Sequence, residues 1–189
     1  MANNRIRIIV SLLIMLMLSA RASAQEYSVS TNLLGWANMG TMNVEASYGF
    51  ARRWTAVAGV RYNPFTFYHP QSHDAMRHRQ QSYSIGLAFW PWHIHSGWWV
   101  SGKMRYQEYN IGGLRSPETR EGDRIGASLS LGYSYMLSEH FNVGLGAGLW
   151  SGYDFFTRYT CPSCGRIIDT GKDAFILPDD IILSIAYVF

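Results

Sequence analysis

The sequence predicts an all-β chain: a single antiparallel transmembrane β-barrel of about eight strands, with short periplasmic turns and longer extracellular loops. Three observations lead there. The chain ends on the apolar strand Ile181-Ile182-Leu183-Ser184-Ile185-Ala186-Tyr187-Val188-Phe189, with an aromatic last residue. Segments that alternate apolar and polar residues recur along its whole length. The connections between them are alternately short and long.

The amino-terminus has the pattern of a secretory signal. Arg5 and Arg7 precede an apolar run from Ile8 to Leu18, and Ala22-Ser23-Ala24 offers a small-x-small cleavage site. Residues 1–24 are expected to be removed, which leaves residues 25–189 as one barrel domain. The run is short for a spanning helix, and no later segment offers about 20 apolar residues in a row. No cysteine follows the cleavage site, so a lipid anchor is not expected. Arg5, Arg7 and Arg21 leave with the signal, so the 16 basic residues fall to 13 and match the 13 acidic ones. A neutral mature chain gives no reason to expect nucleic-acid binding.

The expected strands follow in order. Ser28 to Leu34 opens the barrel. In Thr41 to Phe50, Met42, Val44, Ala46, Tyr48 and Phe50 oppose Asn43, Glu45, Ser47 and Gly49. Trp54 to Tyr62, Ser82 to Trp90 and Trp98 to Glu108 alternate in the same way. Arg124 to Met136 and Phe141 to Leu149 set Leu, Val, Ala and Tyr against Gly, Ser and Asn. The terminal strand turns Leu183, Ile185, Tyr187 and Phe189 to one face. Each is near the ~9–11 residues that a tilted strand needs to cross hydrocarbon.

Ala51 to Arg53, Pro91 to Gly97 and Leu137 to His140 are the short connections. Asn63 to Gln81, Tyr109 to Asp123 and Ser151 to Asp180 are the long ones, expected at the cell surface. Gly35 to Gly40 is brief where a long loop is due. All six prolines and all six histidines are expected in connections. Trp54, Phe89, Trp98, Tyr133, Tyr135, Phe141 and Tyr187 are placed near the short turns. Tyr62, Phe65, Tyr68, Tyr106, Tyr109, Trp150 and Tyr153 are placed near the long loops. Two aromatic girdles are the expected result. A soluble lipocalin-like barrel is the alternative, with its apolar faces turned inward. The Ser, Gly and Asn content of the polar faces argues for a narrow interior instead.

Glu45, Arg61, Lys103 and Arg105 are the charges on polar strand faces, and they are expected to form a lumen cluster. In a barrel of this size side chains fill the interior, so mutual pairing is the simplest role. An ion or proton path is the functional alternative. Cys161-Pro162-Ser163-Cys164-Gly165 is the only cysteine pair. It could be a structural disulfide, half of a metal knuckle completed by His69, His73 or His78, or a redox dithiol. An oxidising exported setting favours the disulfide. Ser72, His73, Asp74 and His69 hold the residue types of an outer-leaflet lipid A acyltransferase or deacylase, but they lie in a polar loop.

The chain resembles the small outer-membrane barrels of the family known as domain of unknown function 3575. The matching pieces include Thr31-Asn32-Leu33-Leu34, Asn43-Val44-Glu45 and Arg53-Trp54. They continue with Tyr62-Asn63-Pro64-Phe65, Tyr109-Asn110-Ile111-Gly112-Gly113 and Gly132-Tyr133-Ser134-Tyr135 before Leu137-Ser138. The Tyr159-x-Cys161-x-x-Cys164-Gly165 loop and the Tyr187-x-Phe189 ending complete the set. The resemblance covers nearly all of residues 26–189. It implies a barrel in the outer membrane of a Gram-negative bacterium. Some members lie beside fimbrial genes, which points to surface-appendage biology; no reaction is implied.

The expected function is therefore a non-enzymatic surface barrel with no cofactor, whose loops bind or support partners. Its expected partners are outer-membrane lipid and lipopolysaccharide, fimbrial or other surface proteins, and the barrel-assembly machinery, which would recognise Tyr187 and Phe189. A lipid A-modifying enzyme is the alternative.

Overall fold

The structure, a computed structural model, describes residues 26–68, 75–112, 118–160 and 165–189. Among these lie nine strands and one short helix: β1 (Tyr27–Asn32), α1 (Leu33–Ala37), β2 (Met42–Ala51), β3 (Trp54–Asn63), β4 (Thr66–Tyr68), β5 (Ala75–Phe89), β6 (Gly97–Gly112), β7 (Thr119–Met136), β8 (Phe141–Tyr159) and β9 (Ile167–Val188). All neighbours pair antiparallel. β3 pairs with β5 and β1 with β9, so eight strands close a ring. β4 is a three-residue addition to the upper end of β5. The seam joins the two ends of the chain, from Ser28 opposite Val188 to Asn32 opposite Ser184. The Phe189 N–H donates to the Tyr27 carbonyl at 2.9 Å, so the last residue closes the ring.

Alternation decides which side chains meet the surroundings. Val44, Tyr83, Ile85, Met104, Leu129, Leu131, Leu145, Ile181 and Ile185 are all exposed on the outer face. Thr55, Ser82, Ser101, Ser128, Ser130 and Asn142 are buried in the lumen. The terminal strand points Ile185 and Tyr187 outward, as expected. A lipocalin-like barrel would show the reverse, so that alternative falls.

Outward aromatics pair across neighbouring strands at the turn end. Tyr27 stacks on Tyr48 at 4.9 Å, Trp54 meets Phe89 at 5.0 Å, and Trp98 meets Tyr133 edge-on at 5.4 Å. Phe141 packs on Tyr187, which packs on Phe189. Six to twelve residues further along their strands, Tyr62, Tyr83, Tyr106 and Tyr153 mark a second outward ring. Above Tyr106 the outer face changes character. The Tyr106 hydroxyl meets Glu108 and Asp123 at 3.1 Å each, and Asn110 and Tyr159 bond Glu121.

Two expectations are corrected here. The expected long loops are largely strand: β5 begins at Ala75, β6 runs to Gly112, β7 starts at Thr119, and β8 and β9 form a hairpin that reaches Tyr159 and Ile167. Pro178 and His78 therefore lie in strands. Pro178 is tolerated because, among the described residues, β9 has a neighbouring strand on only one side there, so its missing N–H breaks no ladder bond. A register shift opposite Gly148 lies beside it. That bulge inverts the alternation of β9: Ile181 and Leu183 face outward below it, Ile176 above it.

The second correction concerns the strand expected from Ser28 to Leu34: β1 ends at Asn32, and Leu33–Ala37 form the five-residue helix α1 before the brief connection to β2. Asn32 caps it by accepting from the Leu34 N–H at 3.2 Å. Where β1 ends, the Asn32 amide also takes the place of a strand: Nδ2 donates to the Ile181 carbonyl and Oδ1 accepts from the Leu183 N–H. The helix packs against β9 and leaves Leu33, Leu34 and Trp36 exposed.

The lumen and mouth of the barrel as the candidate functional site

The floor is built by the connection from Trp90 to Ser96. It folds into the barrel instead of hanging below it. Trp90, Ile94 and His95 are buried, and Ile94 occupies the space where a side chain at Gly49 would stand. The His95 carbonyl accepts from Ser134 Oγ at 3.0 Å and Asn142 Nδ2 at 2.6 Å. Trp90 Nε1 donates to Thr55 Oγ1 at 3.1 Å. Burial lowers the His95 pKa to about 4, against a smaller upward pull from the Glu26 carbonyl; nearby His93 lowers it further. Trp99 packs against Gly132 of β7 and Gly146 of β8, so close that a Cβ at Gly132 would meet its ring at 2.5 Å. The lumenal glycines thus make room for an indole.

The middle tier carries the four charges expected to cluster. Lys103 Nζ donates to Glu45 Oε2, and the lysine side chain is 9% exposed. Gly59 leaves space for this pair, since a Cβ there would stand 2.8 Å from Ser84 Oγ and 3.5 Å from Glu45. Arg105 is buried, its guanidinium 5.1 Å from the Trp150 ring centre. Arg61 lines the same region, beside a cavity of about 180 Å³ that also meets Arg105, Gln107 and Trp150. A second cavity of about 120 Å³ lies nearer the floor, among Ser28, Glu45, Trp99, Lys103 and Ser184. Both are below the ~300–1,000 Å³ typical of a drug-sized ligand site.

The mouth tier is centred on Asp154, 2% exposed. Tyr109 donates its hydroxyl to Asp154 at 2.7 Å. Arg124 Nε and Arg120 Nη2 each approach the other carboxylate oxygen at 3.1 Å. The arginines also stack: Arg124 on Tyr109 at 4.0 Å, Arg120 on Phe156 at 3.8 Å. Trp150 and Phe175 meet edge-on at 4.7 Å below them. Burial, then the bond to Asp154, pushes the Tyr109 hydroxyl up to about 12. The opposite rim is a chain of amides. Asn63, 1% exposed, donates to the Met39 carbonyl and to Thr41 Oγ1 at 3.0 Å. Gln80 reaches the same hydroxyl, and Gln107 donates to Gln80.

Thus the four expected lumen charges do lie inside, with Glu45 and Lys103 paired. Tyr109 and Trp150, expected in the outer girdle, face inward instead. Tyr109, Arg120 and Asp154 fall in the expected loops and Arg124 at the start of an expected strand, yet phase identifies them. Asn142, Gly144, Gly146 and Gly148 set an inward rhythm that Trp150, Gly152 and Asp154 continue. His69, Ser72, His73, Asp74, Cys161 and Cys164 lie outside the described residues, as does the expected signal peptide. Among the described residues, no three His, Cys, Asp or Glu side chains gather as a metal site.

No curated protein and no solved structure matches the chain. A family match does exist and spans almost everything described above, girdles, seam and mouth included. The chain belongs to the family described as "Protein of unknown function (DUF3575)", whose profile matches residues 9–189.

Proposed function

We propose that this protein is an outer-membrane barrel of a Gram-negative bacterium, non-enzymatic, whose strand-built wall beyond the membrane binds or supports surface partners. One observation carries the reading: the outer face is a continuous apolar belt between two aromatic rings, and it turns acidic directly above the second. A belt of that height matches hydrocarbon, and aromatic rings prefer its two interfaces. Inside the belt Glu45 pairs with Lys103 and the two cavities are small, so partner contact falls to the outer wall and the tips. Fimbrial components are the partner class that fits a surface-anchored wall. The lipid A enzyme remains the competing class.

Membrane fractionation with protease shaving of intact cells tests the placement. The barrel should fractionate with the outer membrane and be cut first near its β8–β9 tip; recovery in the soluble periplasm would end the reading. Lipid A mass spectrometry of a deletion strain should show an unchanged acylation pattern. Assembly should depend on Phe189, whose deletion should lower the amount of inserted barrel. At the tip, Thr160 N–H donates to the Arg166 carbonyl at 3.1 Å, which brings together the two arms flanking Cys161 and Cys164. A disulfide there would staple the tip with little effect on the belt, because so short a loop gains far below the ~3 kcal/mol of a 15-residue one. Thiol counting on the denatured protein checks it, and two free thiols would refute it.

A further inference from the structure

Above the membrane belt the barrel is no longer closed. β1 stops at Asn32, opposite Ser184, and α1 and the Asn32 side chain cover the next stretch of β9. Beyond that, β9 pairs with β8 from Pro178 up to Ile167, and among the described residues no strand lies on its other side. The opposite edge of the wall is treated differently, because β4 covers the end of β5. An uncovered strand edge presents a row of backbone donors and acceptors, which natural proteins usually blunt. We propose that this edge, Asp169 to Ile176, is a docking site at which an extended segment of a partner polypeptide adds as a strand. The proposal rests on the surface-binding reading above and names its mode.

The local pattern sets the register. N–H groups alternate between the two sides of a strand, and Pro178, which has none, marks the phase that faces away from β8. Thr170, Lys172, Ala174 and Ile176 share that phase, so their N–H and C=O groups face the open side. Their side chains lie on the outer surface, with Lys172 Nζ held 4.2 Å from the Tyr153 ring. Asp173 points inward, 3.4 Å from Arg120. An incoming strand therefore meets apolar Ala174 and Ile176 near the membrane and one cation, Lys172, further out. The fitting segment is apolar at its membrane end and acidic opposite Lys172. A second copy of this chain fits poorly. Copies in one membrane share the same orientation, and strands tilted about 40° would cross at roughly 80°, not run side by side.

The test uses the full mature protein in phospholipid vesicles and two synthetic peptides of alternating Val and Thr, one with a central Glu and one with a central Lys. The Glu peptide should slow amide exchange at Thr170, Lys172 and Ala174 by about tenfold at saturation. It should bind about threefold tighter than the Lys peptide, the scale of a cross-strand charge pair. Thr170→Pro, which removes one open-side donor, should abolish protection while the barrel keeps its heat-modifiable gel mobility. Equal binding by Thr170→Pro, or no protection at saturating peptide, would overturn the edge as the site. Protection that is already present without peptide, and grows with protein concentration, would overturn it in favour of a second copy. Failure of the parent protein to insert into vesicles would instead overturn the membrane-barrel reading, and with it the docking edge that rests on that reading.

Discussion

β2 and β3 are 10 residues long, whereas β8 and β9 run for 19 and 22. At about 3.3 Å per residue, the short pair has length enough for the membrane belt and little more. The long pair continues as a free-standing wall. The inner faces differ accordingly. Inside the belt they are largely Ser, Gly, Asn and Thr, small groups that fill a narrow tube. Beyond it they become Arg120, Arg124, Tyr109, Asp154, Phe156 and Phe175. In the belt, ring closure holds the strands, and on the proposed placement lipid surrounds them. Above it neither acts, so large side chains joined by ion pairs and stacking must do so. One alternation thus serves two solvents.

The largest expected effect comes from breaking the wall at its centre. Asp154→Ala leaves two arginines without their shared carboxylate in a nearly dry site. Removal of one partner from a buried ion group costs about 3–5 kcal/mol. The loss should fall on the wall alone: protease should cut faster between residues 118 and 175, while the belt keeps its heat-modifiable mobility. If the whole barrel unfolds together, wall and belt are one cooperative unit and the contrast fails.

Within the belt the matching change is smaller. Glu45 is about one-third exposed, so Glu45→Gln should cost roughly 2 kcal/mol, below the fully buried case. Glu45→Gln combined with Lys103→Met should recover most of that loss in urea titrations from vesicles. A double variant as unstable as the single one would mean that the pair has further partners.

How much of this was legible beforehand depends on which solvent a residue meets. The belt is legible in the sequence because an apolar outer face and a polar lumen impose a clean alternation, as in Val143, Leu145 and Ala147 against Asn142, Gly144 and Gly146. The wall is not, because water outside permits Glu108, Glu121 and Asp123 on the outer face, which erases the contrast. Arg120 then looks like a loop residue, and Arg124 like no more than the first residue of a strand. The bulge beside Pro178 hid β9 further, since its phase inverts there. Glu45 and Lys103 were found because charge on a belt strand has only the lumen to face. His95 was missed because nothing in Pro91 to Gly97 shows that a turn folds inward.

That floor gives the next effect, and it depends on pH. His95 titrates near 4 when folded and near 6.5 when exposed, so the unfolded chain binds the proton first. Stability is complete above about pH 6.5 and declines as pH falls toward 4, by up to about 3 kcal/mol for the full shift. His95→Gln should flatten the profile across that window in urea titrations. An unchanged slope would assign the acid sensitivity elsewhere.

The smallest effect should come from the girdle, where the two regions can be compared residue for residue. Trp98 and Tyr133 meet edge-on at the turn end, fully on the outer face. Such an aromatic pair contributes about 0.5–1.5 kcal/mol beyond the area it buries. A double-mutant cycle with Trp98→Ala and Tyr133→Ala should return a coupling in that range in vesicles whose hydrocarbon matches the belt. In thinner or thicker bilayers the coupling should shrink, because the rings leave the interface where their polar edges meet water and their faces meet lipid. The same cycle on the wall pair Trp150 and Phe175 should not respond to bilayer thickness, since those rings face inward beneath the Arg124 stack. If both pairs respond alike, the membrane boundary does not lie at Tyr106, and the division into belt and wall must move upward.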